Sequence, residues 1–338
     1  MQKLKAAVVG GGIFGSHHLN AYKNCEYTQL TSICDLNEEL CKKRANEYNI
    51  KPYIDLEELI DIEKPDIISI ATPDPFHYEP AKKAIEKGVH VLIEKPITIN
   101  VQEAEDLINL AKEKNVRVAV DFHKRWDPAT ISVKLELEKN DSGKVIRGYM
   151  SMDDIIDVPI NWLKWSKLSS PAHFLGVHCY DSIRFITGRE VKAVFAYGQK
   201  GVLKSKGIDC YDSVQAMLIM DDNSTWTVDN CWVLPNSFPK SNDGRASILC
   251  ENRFIRVDSQ NRGVEIFSPE KCSTPNSYFI TYREGLASGF GIEPIFDFAK
   301  SIVYNKPFIA DAYDGLQATK IATAVHESID TNKVVEIN

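Results

Sequence analysis

The chain has no cysteine pair in C-x-x-C spacing; its eight cysteines are scattered over 338 residues. That spacing argues against a zinc ribbon and against a dithiol redox centre. No apolar run approaches the roughly 18 residues that a membrane-spanning helix needs. Positive charge is not in excess: 40 Lys and Arg stand against 47 Asp and Glu, a formal net charge of −7. Such a balance offers no basic patch for nucleic acid or for an anionic membrane surface. Lys3 and Lys5 precede a short apolar run, but the run stops at three glycines after Val9 with no cleavage-like site. It is therefore not read as a signal peptide. Low-complexity linkers and internal repeats are also missing. Cys34 and Cys250 lie in apolar, strand-like runs, which reads as buried free thiols in a reducing cytoplasm.

What is there is an ordinary globular composition, 43% hydrophobic and 26% charged, with enough length for two domains, each with its own core. The organising stretch is Leu4 to Gly15, LKAAVVGGGIFG. Ala6 to Val9 is too short for a helix and is bounded by glycine, so it reads as a buried strand. Gly10, Gly12 and Gly15 follow in G-x-G-x-x-G spacing. Gly10 permits the tight turn, Gly12 lets backbone N–H groups approach a pyrophosphate, and Gly15 lets the next helix pack on the sheet. Ile13 and Phe14 then open a helix whose free N–H donors and positive dipole end face the diphosphate. A second strand, TQLTSIC, ends at Asp35, 20 residues past Gly15. An acid there meets the adenosine ribose hydroxyls and repels a 2′-phosphate. Leu36 follows in place of an arginine, so NAD is expected over NADP.

The first third alternates strands, at 4–9, 28–34, 66–71, 89–93 and 116–120, with helices at 14–23, 37–48, 55–62, 77–87 and 100–114. That alternation implies right-handed βαβ units and a parallel, doubly wound sheet. Asn37 reads as a helix N-cap, and Asn100 with Glu103 as a capping box. Ligands on such sheets bind beyond the carboxyl ends of the strands. This directs attention to Asp35, Ala71–Pro75, Glu94–Pro96 and Asp121–Trp126. From about residue 125 the pattern changes. A helix over 127–140 leads into strands at 145–156, 191–200, 212–220, 224–233, 246–250, 253–258 and 262–267. Turn signals include Asp141-Ser142-Gly143, Asp221-Asp222-Asn223 and Asn242-Asp243-Gly244. A helical insert is expected near 172–187, and two helices, 292–304 and 314–330, close the chain. The domains are therefore set at 1–123 and 124–338. The second is an α+β domain with a large, open, mostly antiparallel sheet. Such a sheet must cover its apolar face, which points to self-association.

Ile70 to Pro96, IATPDPFHYEPAKKAIEKGVHVLIEKP, carries Thr72, Pro73 and His77, then Glu94, Lys95 and Pro96. Gly176-x-His178-x-x-Asp181 and Arg184-Phe185-x-x-Gly188 follow, with Asn305-Lys306-Pro307 and Asp314-Gly315-Leu316 in the tail. Together with the glycine fingerprint these resemble the glucose–fructose oxidoreductase / inositol dehydrogenase (Gfo/Idh/MocA) family, across essentially the whole chain. The resemblance implies an N-terminal Rossmann domain and an open-sheet domain that forms dimers or tetramers. It also implies NAD(P)-dependent oxidation or reduction of a sugar, cyclitol or related polyol.

Hydride transfer at a secondary alcohol needs a base for the hydroxyl proton and a cation for the developing alkoxide. The family context assigns the cation to Lys95 and the proton acceptor to His178, whose imidazole suits proton exchange near neutrality. Glu94 steers Lys95 or the nicotinamide ribose. Thr72, Pro73, His77 and His123 complete the expected cofactor contacts, with Lys124, Arg125 and His173 facing substrate. The Lys95–Pro96 bond is a candidate for the cis form. Family members often place an Asp four residues before His178; here that residue is Phe174. His173 replaces it only if the backbone is irregular there, since adjacent helical residues point about 100° apart. Trp162, Trp165, Trp232 and Tyr282 offer flat faces for a sugar ring, with core packing the competing role. Two further readings stay open. One is a lyase or glycosidase that recycles bound NAD through transient oxidation. The other is a non-catalytic NAD(H)-sensing protein, and Phe174 supports both.

Overall fold

The computed structural model describes residues 3–139, 141–260, 263–268, 272–275 and 278–337. It divides into two compact units: Met1–Trp126 with Tyr278–Leu316, and Asp127–Ser277 with Gln317–Asn338.

In the first unit six parallel strands form one sheet: β1 (Leu4–Val9), β2 (Thr28–Cys34), β3 (Lys51–Tyr53), β4 (Ile67–Ile70), β5 (His90–Glu94) and β6 (Val118–Asp121). Their order is β3-β2-β1-β4-β5-β6. The chain runs outward from β1 and then returns to its other side, so the strand order reverses between β1 and β4. Ligands of open α/β sheets bind at such a reversal. Strand β3 escapes sequence reading because it is three residues long, carries Pro52, and buries none of them fully.

Helices α1 (Ile13–Asn24), α2 (Glu38–Tyr48), α3 (Leu56–Glu63), α4 (Tyr78–Glu86) and α5 (Val101–Glu113) link the strands. Their starts are chemically marked. Asn37 Oδ1 accepts from the Leu40 N–H at 3.1 Å, and Asp55 Oδ1 accepts from Glu58 at 2.8 Å. Asn100 Oδ1 accepts from both Gln102 and Glu103, at 2.9 and 3.2 Å. Such caps contribute about 1 kcal/mol each. The Asn100 N–H turns to Thr98 Oγ1 at 3.2 Å.

The sequence boundary at residue 123 needs one correction, because Tyr278–Leu316 belongs to the first unit. The helix Glu293–Val303 buries Ile295, Phe298 and Ala299 in the same core as Leu19, Tyr22, Leu92 and Ala119. Each large side chain so buried gives roughly 1.5–3 kcal/mol. Arg117 adds a bond from Nη1 to the Ser301 carbonyl at 2.9 Å and lies 4.1 Å from the Phe308 ring centroid.

The second unit holds α6 (Pro128–Leu137), β7 (Val145–Ile155), α7 (Val177–Thr187), β8 (Val191–Gln199), β9 (Ser213–Met220), β10 (Thr225–Leu234), β11 (Asn242–Cys250) and β12 (Phe254–Asp258). Its seven-stranded sheet runs β12-β11-β7-β10-β9-β8, closed at the edge by Val335–Glu336. All neighbours are antiparallel except β7 with β10. Along β10, Trp226, Val228, Asn230 and Trp232 are buried while the residues between them are partly exposed. This is the two-faced alternation expected of a sheet covered on one side. Asn242-Asp243-Gly244, expected as a turn, instead opens β11 and pairs with Asp154, Asp153 and Met152. Ladder partners on β7 outweigh the local turn preference, and the Gly244 N–H donates to Ser259 Oγ at 2.8 Å. Part of the strand expected at 262–267 lies outside the described residues; Ile266–Phe267 pairs with Cys272–Ser273. No helix among the described residues is long and apolar enough to cross a membrane.

Candidate functional site

The turn after β1 shows why glycine is needed. Gly10 has φ +98°, and a Cβ on it would meet the Ala71 carbonyl oxygen at 2.5 Å. On Gly15 a Cβ would lie 1.9 Å from the Gly10 carbonyl oxygen. Gly12 differs, since a Cβ there would enter open space. It is the N-cap of α1, which has no side-chain cap and no acid in its first turn. Uncapped N–H donors beside open space suit an anionic diphosphate. Exposed Ile13 and half-buried Phe14 form that first turn. Asp35 Oδ2 accepts from the Gly11 N–H at 2.6 Å, and Oδ1 accepts from the Asn37 N–H at 2.7 Å. The carboxylate is thereby held beside the glycine turn, each oxygen accepting one backbone N–H. Arg44 Nε donates to the Gly11 carbonyl at 3.0 Å.

Beyond β4, Thr72 and Pro73 enter a short turn, where Thr72 Oγ1 donates to the Phe76 carbonyl at 2.9 Å. His77 is buried, with Nδ1 2.6 Å from the Pro96 carbonyl and Nε2 2.7 Å from the Thr72 carbonyl. Both ring nitrogens are engaged inside the protein, so His77 clasps the loops after β4 and β5 and does not itself reach a ligand. Glu94 ends β5, Lys95 follows it, and the Lys95–Pro96 bond is cis. Both side chains are buried, as is Asp121 at the end of β6.

His18 lies on α1 and is buried. Its Nε2 lies 3.0 Å from Glu94 Oε1 and 3.7 Å from Asp121 Oδ2. Its Nδ1 lies 2.9 Å from Ser69 Oγ, which is 2.6 Å from the Tyr22 hydroxyl. Burial and the Glu94 charge push the Asp121 carboxyl well above the usual range, with Lys95 opposing. The signal available in sequence was a histidine one turn after the last glycine of the fingerprint.

The run after β6 divides by role. His123 is buried 4.9 Å from the Phe279 ring centroid, and burial pushes its imidazole well below its ordinary value. Lys124 is half-buried, its ammonium 5.1 Å from the Phe290 ring centroid. Arg125 was expected to face substrate. It is buried instead, pairing with Asp314 Oδ1 at 2.8 Å and donating to the Ile309 carbonyl. Its fork ties the tail segment to the first unit. Tyr282 OH contacts His17 Nδ1 at 2.6 Å.

In the second unit His178 is buried in the first turn of α7. A π-helical turn, Ala172–Gly176, leads into α7, so the backbone there is irregular in the way His173 required. π turns often occur at functional sites. The His173 ring nevertheless stacks on His326, centroids 4.6 Å apart at 14°. Burial, with His326 adding, pushes it down to about 3. Phe174 lies between Trp165 and Trp232, with centroid distances of 5.8 and 5.7 Å. Trp232 is fully buried and is a core residue, whereas Trp162 is exposed and donates from Nε1 to Asp157 at 2.8 Å.

A reversed parallel sheet with a glycine turn, an uncapped helix start and an acid at the end of β2 defines a dinucleotide-binding protein. Comparison with known proteins carries this further. Residues 4–122 match the model of an oxidoreductase family with an NAD-binding Rossmann fold. Residues 132–256 match the GFO/IDH/MocA C-terminal domain. The chain belongs to the Gfo/Idh/MocA family and is an NAD-binding oxidoreductase. It is 27% identical to the D-glucoside 3-dehydrogenase of Escherichia coli K12 over 99% of this chain and 97% of that protein. It is 22% identical to the myo-inositol 2-dehydrogenase of Thermotoga maritima over 99% and 98%. The fold matches scyllo-inositol dehydrogenase from Lactobacillus casei with bound NAD(H) and scyllo-inositol, with TM-score 0.84, 19% identity and 99% of each chain covered.

Proposed function

We propose that the protein is an NAD-dependent dehydrogenase or reductase acting on a secondary alcohol or ketone of a sugar, cyclitol or related polyol. The observation that carries this reading is the position of Lys95, one residue beyond the carboxyl end of β5 on a sheet that reverses at β1 and β4. Relatives named for glucoside and inositol oxidation support the substrate class. When bound, the nicotinamide supplies or accepts the hydride. Lys95 binds the substrate oxygen and stabilises negative charge on it, and His178 exchanges the hydroxyl proton. Glu94 orients Lys95, while Lys124 contributes to substrate binding. Thr72, Pro73 and the Gly10–Gly15 turn hold the cofactor. Asp35 favours NAD over NADP by accepting from the ribose hydroxyls.

The test is a panel of sugars and cyclitols with NAD and NADP, read at the absorbance of reduced nicotinamide. A second reading, an NAD-recycling lyase or glycosidase, is favoured by Phe174, which leaves aromatic carbon where relatives often have a carboxylate. Purified protein carrying stoichiometric NAD, with substrate consumed and no net NADH, would select it. Self-association is proposed through the open face of the second unit's sheet, where exposed Phe195 and Met217 are directly paired and exposed Tyr197 lies two residues on. A mass measurement in solution tests it. A reducing cytoplasm is the proposed setting, in keeping with eight free cysteines.

A further inference from the structure

Three strands and one helix of the first unit bring five polar side chains together inside its core: His18 and Tyr22 from α1, Ser69 from β4, Glu94 from β5 and Asp121 from β6. All five are buried. One side-chain polar atom from each of His18, Glu94 and Asp121 lies within 4.8 Å of the other two. The hydrogen bonds have one consistent direction when the Tyr22 hydroxyl donates to Ser69, Ser69 donates to His18 Nδ1, and His18 Nε2–H donates to Glu94. Tyr22, Ser69 and His18 then donate once each. The chain ends at Glu94, and Asp121 is left over: its Oδ1 has no hydrogen-bond partner, and His123 Nδ1 stands 3.9 Å away. A buried carboxylate with an unpartnered oxygen, beside a second carboxyl group, is costly unless it carries a proton.

We propose that Asp121 is a positioning residue that acts through Glu94 and Lys95. It holds a proton in the free protein, yields it when the oxidised, positively charged cofactor binds, and takes it back when the cofactor is reduced. The inference rests on the cofactor-binding reading and goes beyond it. The groups facing Asp121 are Glu94 and Lys95 from β5 and the residue after it, His18 and Tyr22 from α1, and His123 on its own loop. Lys95 is the cation acting on it in the free protein. A second positive charge at the carboxyl ends of β4 and β5 favours ionisation of the second carboxyl group. The Asp121 O–H bond then breaks with its electron pair left on oxygen, and the proton passes to the buffer. No electrons leave the protein.

Calorimetry of NAD⁺ and of NADH binding, each in two buffers of different ionisation enthalpy, counts the protons exchanged. The expected result is net proton release with NAD⁺ and less with NADH, with the difference lost in Asp121→Asn. Affinity for NAD⁺ relative to NADH should rise with pH, up to about tenfold per unit for one proton, and lie flat in the variant. Equal proton counts for the two cofactors, or a difference that survives in Asp121→Asn, overturn the assignment of Asp121 alone. Failure of both cofactors to bind the wild-type protein overturns this inference together with the cofactor reading. Should Asp121→Asn not fold, infrared difference spectra of wild-type protein decide the matter. Loss of a protonated-carboxyl band on NAD⁺ addition supports the proposal, and its persistence sinks it.

Discussion

Gly15 packs so closely under Gly10 that a Cβ on Gly15 would stand 1.9 Å from the Gly10 carbonyl oxygen. Gly12, midway between them, has nothing within 4 Å of its own imagined Cβ. The same fingerprint thus contains a glycine that the fold requires and one that it does not, whose role under the proposed function is to admit the cofactor. Gly15→Ala must move backbone, and overpacking of this kind costs about 1–3 kcal/mol or more. Gly12→Ala should stay within roughly 0.5 kcal/mol of wild type yet bind NADH more weakly. Thermal unfolding paired with NADH fluorescence titration separates the two. Equal loss of stability in both variants would contradict the division.

Asp35 is held by the N–H groups of Gly11 and Asn37, so deleting its carboxylate disturbs the turn as well as removing the proposed selector of cofactor. Asp35→Ser keeps an acceptor and removes the charge proposed to repel a 2′-phosphate. The NAD-to-NADP affinity ratio should fall at least about tenfold, or roughly 1.4 kcal/mol. An unchanged ratio would count against Asp35 as the selecting residue.

Lys95→Ala and His178→Ala are expected to keep NADH binding and to lower turnover by about 10²–10⁴ on the substrate found by the panel. The measurement is kcat beside NADH affinity. Wild-type turnover in both variants would remove the proposed chemistry.

Much of the first unit was legible because its signals are local. The strand, the glycine spacing and the helix start occupy consecutive residues, and Asn37, Asp55 and Asn100 each cap their helix by bonding residues within three positions. The Asp55 cap is equally local but was not singled out in the sequence. The rest depends on distant partners. Nothing near Phe298 says that it packs with Leu19 and Leu92, so the return of the tail to the first unit was missed. Asn242-Asp243-Gly244 has turn composition, and only β7 alongside makes it a strand. Arg125 looked like a substrate ligand because Asp314, its partner, lies far along the chain. The His18 network joins four elements, and no single stretch displays it.

Asp153 gives the second unit a pH dependence. It lies in register with Asp243 on one side and Cys231 on the other. Burial, then the charges of Asp243 and Asp229, push its carboxyl up to about 7. The folded value is raised, so the folded state holds this proton more tightly than the unfolded chain. The contribution is fully present below the unfolded value, near about 3.9, and is lost as pH rises through about 7. Asp153→Asn should therefore melt at a temperature less sensitive to pH between those limits. Parallel melting curves for wild type and variant across that window would show that Asp153 does not titrate there.

Phe174 stands where the family resemblance implies a carboxylate, and the structure opposes restoring one. Its ring touches Trp165 and Trp232, the latter wholly buried. Aromatic pairs of this kind contribute about 0.5–1.5 kcal/mol each beyond their buried area. Phe174→Asp would remove both contacts and press a carboxylate against indole rings, whose faces carry negative partial charge. Removing a fully buried phenylalanine side chain costs about 3–5 kcal/mol. Phe174 is half-buried, so a loss of about 2 kcal/mol is expected. Turnover should not rise, because the new carboxylate would sit against the Trp165 and Trp232 rings. Phe174→Tyr keeps the ring and should retain most of the stability. Denaturant unfolding and turnover of the two variants test this. A stable Phe174→Asp with faster turnover would mean that the aromatic cluster is dispensable and that the site accepts a second carboxylate.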